Sequence, residues 1–207
     1  MRNVILKILL ALIVLFVGIL PASAEKNSVV EMEKATYNWT WLGKAPLTDA
    51  QTKRILETPK GQRPDPKTYL SRRYIWQHLK PFRQGVSFVM SRESYEKFVV
   101  NSETIGRDDG CFVLPKKVCD DIAKAADGNI AVFELALSFD AGYFSEHGGM
   151  VRIDVENLLG LNLRVPSSNE GGANSDWLPG GYTKGGVPEA ICDKIPKSRA
   201  VITENFK

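Results

Sequence analysis

A glycine-rich, polar segment from Leu161 to Pro196 restricts the fold of this chain more than any other stretch. It contains three glycine pairs, Gly171-Gly172, Gly180-Gly181 and Gly185-Gly186. Glycine allows left-handed backbone and a close approach of the main chain to a ligand, so such a segment usually lines a site. The same segment carries Trp177 and Tyr182, and these large side chains predict that it folds onto a core. Because long ordered loops usually serve a function, we expect the active region here.

The first 24 residues have the layout of a bacterial secretory signal peptide. Two positive side chains, Arg2 and Lys7, flank the start of an apolar run that ends at Leu20, and an A-x-A cleavage motif ends at Ala24. We expect cleavage after Ala24, a secreted or periplasmic product, and no membrane contact once the signal is removed. The alternative is a retained membrane anchor, because the apolar run is close to the lower length limit of a spanning helix.

Length and charge predict a single globular domain after that segment. The formal charge of the whole chain is +3, and loss of Arg2 and Lys7 reduces it to +1. A nearly neutral protein has no general attraction to nucleic acid or to an anionic membrane. The length suits one domain with a proper core. We therefore expect an extended lead-in over residues 25–46 and one α+β domain over residues 47–207.

Three cysteines, Cys111, Cys119 and Cys192, lie in the part predicted to be exported. In an oxidising compartment two of them can form a disulfide, which leaves three pairings open. A bridge from Cys192 to either of the others would join the C-terminal segment to the middle of the domain. Neither of the two histidines, His78 and His147, stands in a recognisable motif for a cysteine nucleophile, so structural or buried cysteines are favoured.

Hydrophobic periodicity predicts an α+β fold, with short N-terminal helices followed by a mostly antiparallel sheet and a long glycine-rich loop. Predicted helices span about 48–57, 66–80, 92–99, 116–125 and 130–139. Predicted strands span about 85–90, 111–114, 151–155, 161–165 and 199–203. If strands 151–155 and 161–165 pair, their polar side chains share one face that leads into the glycine-rich segment. These side chains are Arg152, Asp154, Asn162 and Arg164.

Several common motifs for metal and nucleotide binding do not occur in the sequence. The chain has no H-E-x-x-H, no C-x-x-C and no spaced acidic calcium loop, so we predict that it binds no metal. It also has no P-loop, no G-x-G-x-x-G after a strand and no G-x-S-x-G elbow. The remaining candidates for chemistry are arginines and carboxylates near predicted strand ends, such as Arg83, Arg107 and Glu189.

Three stretches resemble the C-terminal domains of bacterial polymorphic and contact-dependent toxins. They are PFRQGVSFVMSRESYEKF from residue 81, IGRDDGCFVLP from residue 105 and NLRVPSSNEGGANSDWLPGGYTKGGVPEAI from residue 162. Within such toxins, an arginine that opens the first strand and a glutamate after a glycine-rich segment are similar to the arrangement in ADP-ribosyltransferases. The resemblance implies a secreted virulence enzyme that uses NAD as its substrate.

In that family the arginine holds the NAD phosphates or ribose, an aromatic side chain packs on nicotinamide, and the glutamate stabilises the positive ribose as nicotinamide leaves. The resemblance assigns these roles to Arg83, Tyr182 and Glu189. A guanidinium suits a pyrophosphate because it binds two oxygens at once, and a fixed carboxylate suits a developing positive charge. Further candidates for NAD contact or catalysis are Ser87 on the first strand and Asn169, Glu170 and Asn174 on the glycine-rich segment.

The acceptor of the ADP-ribosyl group stays open. The chain lacks the Ser-Thr-Ser element of that family, and Val187 stands where an E-x-E or Q-x-E pair with Glu189 would need Glu or Gln. NAD hydrolysis and transfer to an unusual acceptor are therefore both consistent with the sequence. The partners that the resemblance implies are a protein or RNA acceptor and an immunity protein that protects the producing cell.

Two other functions fit the same residues. A metal-independent endoribonuclease toxin would use a histidine as general acid or base, with arginines and hydroxyl groups on the phosphate. Its candidate residues are His147, Arg152, Arg164, Tyr182 and Thr183. In a non-enzymatic secreted binding module, the glycine-rich segment would recognise a protein partner or a cell wall. Glu189 separates these hypotheses, because only the NAD-using enzyme requires its carboxylate.

Overall fold

The computed structural model describes residues 43–173 and 176–206 and shows an α+β fold. Its helices are α1 (Asp49–Glu57), α2 (Arg72–Leu79), α3 (Arg92–Phe98), α4 (Lys116–Ala126), α5 (Ala131–Leu137) and α6 (Tyr143–Glu146). Its strands are β1 (Val86–Ser91), β2 (Thr104–Ile105), β3 (Cys111–Pro115), β4 (Met150–Val155), β5 (Trp177–Leu178), β6 (Tyr182–Thr183), β7 (Ala190–Cys192), β8 (Ile195–Pro196) and β9 (Ala200–Phe206). The predicted fold class is confirmed. The predicted signal peptide and most of the predicted lead-in lie outside the described residues.

Five of the strands form one antiparallel sheet in the order β7-β3-β1-β4-β9. In its register, Phe88 of β1 lies opposite Ile153 of β4, and Cys111 of β3 lies opposite Cys192 of β7. Successive side chains of a strand point to opposite faces. The sheet therefore has one face with Phe88, Ile153 and the cysteine pair, and a second face with the residues between them.

The first face of the sheet carries the main hydrophobic core. It is covered by α2, by α3 and by the 3₁₀ turn Pro81–Gln84 that leads into β1. Its buried side chains include Leu79, Phe82, Val86, Tyr95, Val99, Val113, Ile153 and Ile195. Burial of each large apolar side chain stabilises the fold by about 1.5–3 kcal/mol.

Helices α4, α5 and α6 supply a second set of buried apolar residues. Helices α4 and α6 contact β1, and α5 packs against α4. The side chains Val118, Ile122, Phe133 and Phe144 are buried there. Within residues 43–173 and 176–206, no helix has the length and hydrophobicity needed to cross a membrane.

Local capping chemistry sets the helix starts. Thr48 begins α1 with a capping box to Gln51, and the Ser91 hydroxyl begins α3 by accepting a bond from the Ser94 amide. The helix predicted over 66–80 is wrong in its first half. A single 3₁₀ turn spans Pro66–Thr68, and Ser71 then caps a new helix by accepting from the Tyr74 amide at 3.2 Å.

The predicted strand at 161–165 and its pairing with 151–155 are also wrong. Strand β4 already has β1 on one edge and β9 on the other, so neither edge is free. Residues near Arg164 instead form an isolated bridge to Ile191, with two main-chain hydrogen bonds of 2.8 Å. The predicted shared polar face does not form, because Arg152 is buried against α4 by its ion pair with Asp120, while Arg164 pairs with Asp193.

The glycine-rich segment folds back on the domain, and its glycines allow close backbone packing. Strands β5 and β6 form a two-stranded hairpin within it. A side chain at Gly181 would place its Cβ atom 2.5 Å from the Nε2 atom of His78, and one at Gly185 would place it 2.2 Å from the Ala136 carbonyl oxygen. Because no side chain fits at such distances, these two positions require glycine for packing.

Candidate functional site

A cavity of about 660 Å³ lies beside the point where the sheet loses its regular pairing. Strands β1 and β3 share only two residue pairs, Val86 with Pro115 and Ser87 with Leu114. The next pair of a continuing ladder, Phe88 with Val113, is not formed, and both residues line the cavity. The volume is within the range of small-molecule sites in proteins.

The glycine-rich segment supplies much of the cavity wall. Its contributions are Gly172, Ala173, Asp176, Trp177, Thr183, Val187, Pro188 and Glu189. Aromatic side chains from other elements, Phe88, Phe98, Phe112, Phe139 and Tyr143, add to the wall. The cavity is thus mainly apolar with a small number of polar groups, as ligand sites usually are.

Glu189 belongs to the lining of this cavity, and two main-chain hydrogen bonds fix its backbone. Its amide donates to the Gly181 carbonyl at 2.8 Å, and its carbonyl accepts from the His78 imidazole at 2.9 Å. The carboxyl group makes no hydrogen bond or ion pair to any residue that the structure describes. Burial, with a smaller contribution from the negative charge of Glu170, raises the pKa of Glu189 to about 8.

Arg107 brings a guanidinium to the same cavity. It follows β2 in a tight loop in which the Arg107 and Gly110 backbones form an isolated bridge. The Arg107 guanidinium lies against the glycine-rich segment, because a Cβ atom on Gly171 would be 3.1 Å from its Nη1 atom. No carboxylate among the described residues pairs with it. The cavity therefore combines an unpaired cation and an unpaired carboxyl group.

Trp177 is a buried aromatic wall of the cavity. Only 4% of its surface is exposed, and the Arg63 guanidinium lies 5.2 Å from the centroid of its ring. Its indole Nε1 is buried and has no hydrogen-bond acceptor in the described part of the chain. A flat ring next to such a cavity is a suitable surface for an aromatic ligand.

Two residues predicted to hold NAD lie away from the cavity lining. Arg83 is exposed on the turn before β1. Tyr182 packs edge-on against His78, with ring centroids 5.0 Å apart, and a side chain at Gly43 would collide with its ring. The structure therefore gives Tyr182 a packing role, and it does not bring Arg83 and Glu189 together in this cavity.

The other predicted contacts serve local structure. The Ser87 hydroxyl is fully buried and donates to the Asp154 carboxylate. The Asn169 side-chain oxygen accepts from the Gly61 amide at 2.7 Å and from the Arg63 amide at 3.1 Å, which holds the loop after α1.

Glu170, a further candidate on the glycine-rich segment, does not line the cavity. Glu170 accepts from the Ser167 amide and hydroxyl through one oxygen, and its other oxygen is buried without a donor among the described groups. Asn174 lies outside the described residues.

The residues of the ribonuclease hypothesis are held by separate partners. The His147 Nδ1 atom donates to the Tyr143 carbonyl at 2.7 Å, and its ring stacks on Tyr143. Arg152 is buried in its ion pairs, and the Arg164 guanidinium bonds to Asp193 at 2.7 Å. Of the five residues named for this hypothesis, Thr183 lines the cavity. Its hydroxyl is occupied by a 2.8 Å bond to the Ala136 carbonyl.

The described part of the chain contains no group of three or more His, Cys, Asp or Glu side chains that could hold a metal ion. Comparison of the sequence with protein-family models and with curated proteins gives no match.

Two cavity residues received no specific role from the sequence, although Arg107 was among its candidates for chemistry, because the sequence carries only weak signals for them. Arg107 stands between Gly106 and Gly110, and Trp177 stands inside the glycine-rich segment. Both are typical positions for a loop that lines a ligand site.

Proposed function

We propose that this protein is an NAD-consuming enzyme, an ADP-ribosyltransferase or NAD glycohydrolase, with Glu189 as its catalytic carboxylate. The observation that carries the proposal is the unpaired carboxyl group of Glu189 in an aromatic-walled cavity that also holds the unpaired guanidinium of Arg107. NAD presents matching chemistry: two aromatic rings, a pyrophosphate, and a ribose that becomes positive when nicotinamide leaves.

Glu189 changes its protonation state when the substrate binds. Burial places its pKa at about 8, so the carboxyl group is mostly protonated at neutral pH. The nicotinamide ring of NAD carries a positive charge, which favours the ionised carboxylate and lowers this pKa. The ionised group then stabilises the oxocarbenium-like ribose as the bond from ribose C1 to nicotinamide breaks. Nicotinamide leaves with the bonding electron pair, and water or an acceptor nucleophile adds at C1.

Arg107 takes the role that the sequence resemblance assigned to Arg83. A guanidinium binds two phosphate oxygens at once, and Arg107 lines the cavity whereas Arg83 is exposed elsewhere. Trp177 and Phe112 offer flat apolar surfaces for the nicotinamide or adenine ring. These roles require no metal, because the leaving group departs without one.

The test is to incubate the full chain with NAD and to measure release of nicotinamide. We expect release to fall by two orders of magnitude or more in Glu189→Gln, as is typical when an electrostatic stabiliser of a transition state is removed. Glu156→Gln is the matched control, since Glu156 is an exposed carboxylate just after β4. Equal release from wild type and Glu189→Gln would contradict the assignment of the carboxylate.

A pair of arginine variants tests which guanidinium binds the dinucleotide. We expect Arg107→Ala to raise KM for NAD about tenfold or more and Arg83→Ala to leave it unchanged, because one lost charged contact costs about 1.5–3 kcal/mol. The opposite result would restore the original assignment of Arg83.

Product analysis separates the three functional hypotheses. Free ADP-ribose equal to the nicotinamide released identifies water as the acceptor, whereas a deficit of ADP-ribose indicates transfer to a macromolecule. If no nicotinamide is released and NAD does not change the tryptophan fluorescence of the protein, the NAD hypothesis is wrong. Cleavage of RNA that is lost in His147→Ala would then support the ribonuclease, and activity in neither assay would support a binding module.

A further inference from the structure

Cys111 and Cys192 face each other across two neighbouring strands of the main sheet. In the antiparallel register of β3 and β7, Cys111 lies directly opposite Cys192. Residues at opposite positions of such a ladder have Cα atoms about 4.5–5.5 Å apart and side chains on the same face. A disulfide needs Cα atoms about 4.4–6.8 Å apart, so this pair satisfies the requirement without movement of the backbone.

The third cysteine is on the opposite side of the sheet. Cys119 belongs to α4, and its thiol neighbours Ser87 and Arg152, whose side chains occupy the second face. Cys111 and Cys192 belong to the core of the first face. The sheet separates Cys119 from the other two thiols, so of the three pairings allowed by the sequence only one is geometrically available.

Of the two paired thiols, the one that borders the cavity is Cys111. Both cysteines are buried, with 2% and 0% of their surfaces exposed, but Cys111 lines the cavity and Cys192 does not. The Cys111 thiol donates a hydrogen bond to the Ile105 carbonyl at 3.3 Å, and the neighbouring Cys192 thiol lowers the pKa of Cys111. Cys111 is therefore the thiol that an incoming oxidant meets first.

We propose that Cys111 and Cys192 form an intrachain disulfide when the protein folds in an oxidising environment, with Cys119 left as a free thiol. The oxidant is a disulfide compound, either a small molecule or an exchange protein. The Cys111 thiolate attacks one sulfur of that compound and releases its first thiol. The Cys192 thiolate then attacks Cys111 Sγ and releases the second, so two protein thiols lose two protons and two electrons while one external disulfide gains them.

The bridge would hold β7, the strand that follows Glu189, against β3. Glu189 precedes β7 by one residue, and the neighbouring strand β3 lines the cavity through Cys111 and Phe112. A covalent link between these strands closes a long loop of the chain, which restricts the unfolded state and stabilises the fold. This inference does not depend on the proposed reaction with NAD.

The test is a thiol count on the full chain, purified without reductant and incubated with oxidised glutathione. The protein is then unfolded, alkylated and digested. We expect one alkylated cysteine, Cys119, and one cross-linked peptide pair that contains Cys111 and Cys192. Three alkylated cysteines, or a bridge that contains Cys119, would overturn the proposal.

Two variants and a stability measurement complete the test. Cys119→Ser should keep the bridge and show no alkylated cysteine. Cys111→Ser should show no intrachain bridge. Reduction should lower the urea midpoint of wild type and of Cys119→Ser by a similar amount and leave that of Cys111→Ser unchanged. If Cys111→Ser does not fold, the peptide map of the wild type and Cys119→Ser proteins decides the question, and an equal midpoint before and after reduction in both would count against the bridge.

Discussion

The imidazole Nε2 of His78 donates a hydrogen bond to the main-chain carbonyl of Glu189, with 2.9 Å between the two heavy atoms. This bond connects α2 to the residue just before β7. Both side chains favour their neutral forms in the folded protein, because burial lowers the pKa of His78 and raises that of Glu189. The two residues therefore make opposite contributions to the pH dependence of stability.

Glu189 limits stability at high pH. Its folded pKa of about 8 is above the ordinary value of 4.5. The neutral carboxyl group therefore stabilises the fold fully below pH 4.5, and this stabilisation is lost as the pH rises through 8. The expected loss is at most about 1.4 kcal/mol per pH unit within that window. Urea unfolding of Glu189→Gln should therefore show a growing advantage over wild type from pH 5 to pH 8.5. Glu156→Gln, the exposed control, should show a constant difference, and a constant difference in Glu189→Gln would refute the shifted pKa.

His78 limits stability at low pH. Its folded pKa is below the ordinary value of 6.5, so the neutral ring stabilises the fold fully above pH 6.5 and less as the pH falls through the folded pKa. In His78→Gln the amide keeps a donor near the position of Nε2 but does not take up a proton. We expect this variant to lose less stability than wild type between pH 7 and pH 5 in urea titrations. His147→Gln is the control histidine variant, and an equal acid response in all three proteins would show that His78 is not buried in its neutral form.

The sequence predicted the elements whose signals are local. The helix starts at Thr48 and Ser91 were found because the capping side chain lies next to the helix that it caps. The alternation of Leu161, Leu163 and Val165 failed as a strand signal, because β1 and β9 occupy both edges of β4. Pairing partners are a non-local property, and a short apolar alternation does not specify them.

The same distinction applies to the candidate site. Glu189 was selected because it follows the glycine-rich segment, and that segment does line the cavity. Arg83 and Arg107 have equally good local signals, since each stands in a glycine-containing turn before a strand. Which guanidinium lines the cavity depends on how the chain path brings β2, β3 and β7 together. Tyr182 belongs to the same glycine-rich segment as Glu189, but its ring packs on His78.

Gly185 should be among the least replaceable glycines of the chain. A Cβ atom there would lie 2.2 Å from the carbonyl oxygen of Ala136 and 2.8 Å from that of Leu135, and backbone atoms at the end of α5 cannot move aside cheaply. We expect Gly185→Ala to reduce the free energy of unfolding by about 1–3 kcal/mol, as overpacking typically does. In the control Gly171→Ala, the nearest atoms are the flexible ends of Arg107 and Asp109, at 3.1 Å and 3.3 Å. Similar losses in the two variants would show that α5 does not approach Gly185 this closely.

Arg152 should be the ion-pair residue with the largest effect on stability. Its side chain is 6% exposed and lies 2.8 Å from the Asp154 carboxylate, whose side chain is 15% exposed, with Asp120 on its other side. Arg152→Leu leaves the Asp154 charge buried without this cation and should cost about 3–5 kcal/mol in urea unfolding. Asp120→Asn should cost about 1 kcal/mol or less, because the Asp120 side chain is 48% exposed.

A double variant separates the ion pair from simple packing. Arg152→Leu combined with Asp154→Leu removes both buried charges, so the double variant should be more stable than Arg152→Leu alone. The Ser87 hydroxyl donates to Asp154 and loses this acceptor in the double variant. Because a buried donor without an acceptor is costly, the double variant should regain only part of the lost stability. The loss in the double variant is compared with the sum of the losses in Arg152→Leu and Asp154→Leu measured singly. If it equals that sum, the cost of Arg152→Leu comes from lost packing rather than from an unpaired carboxylate.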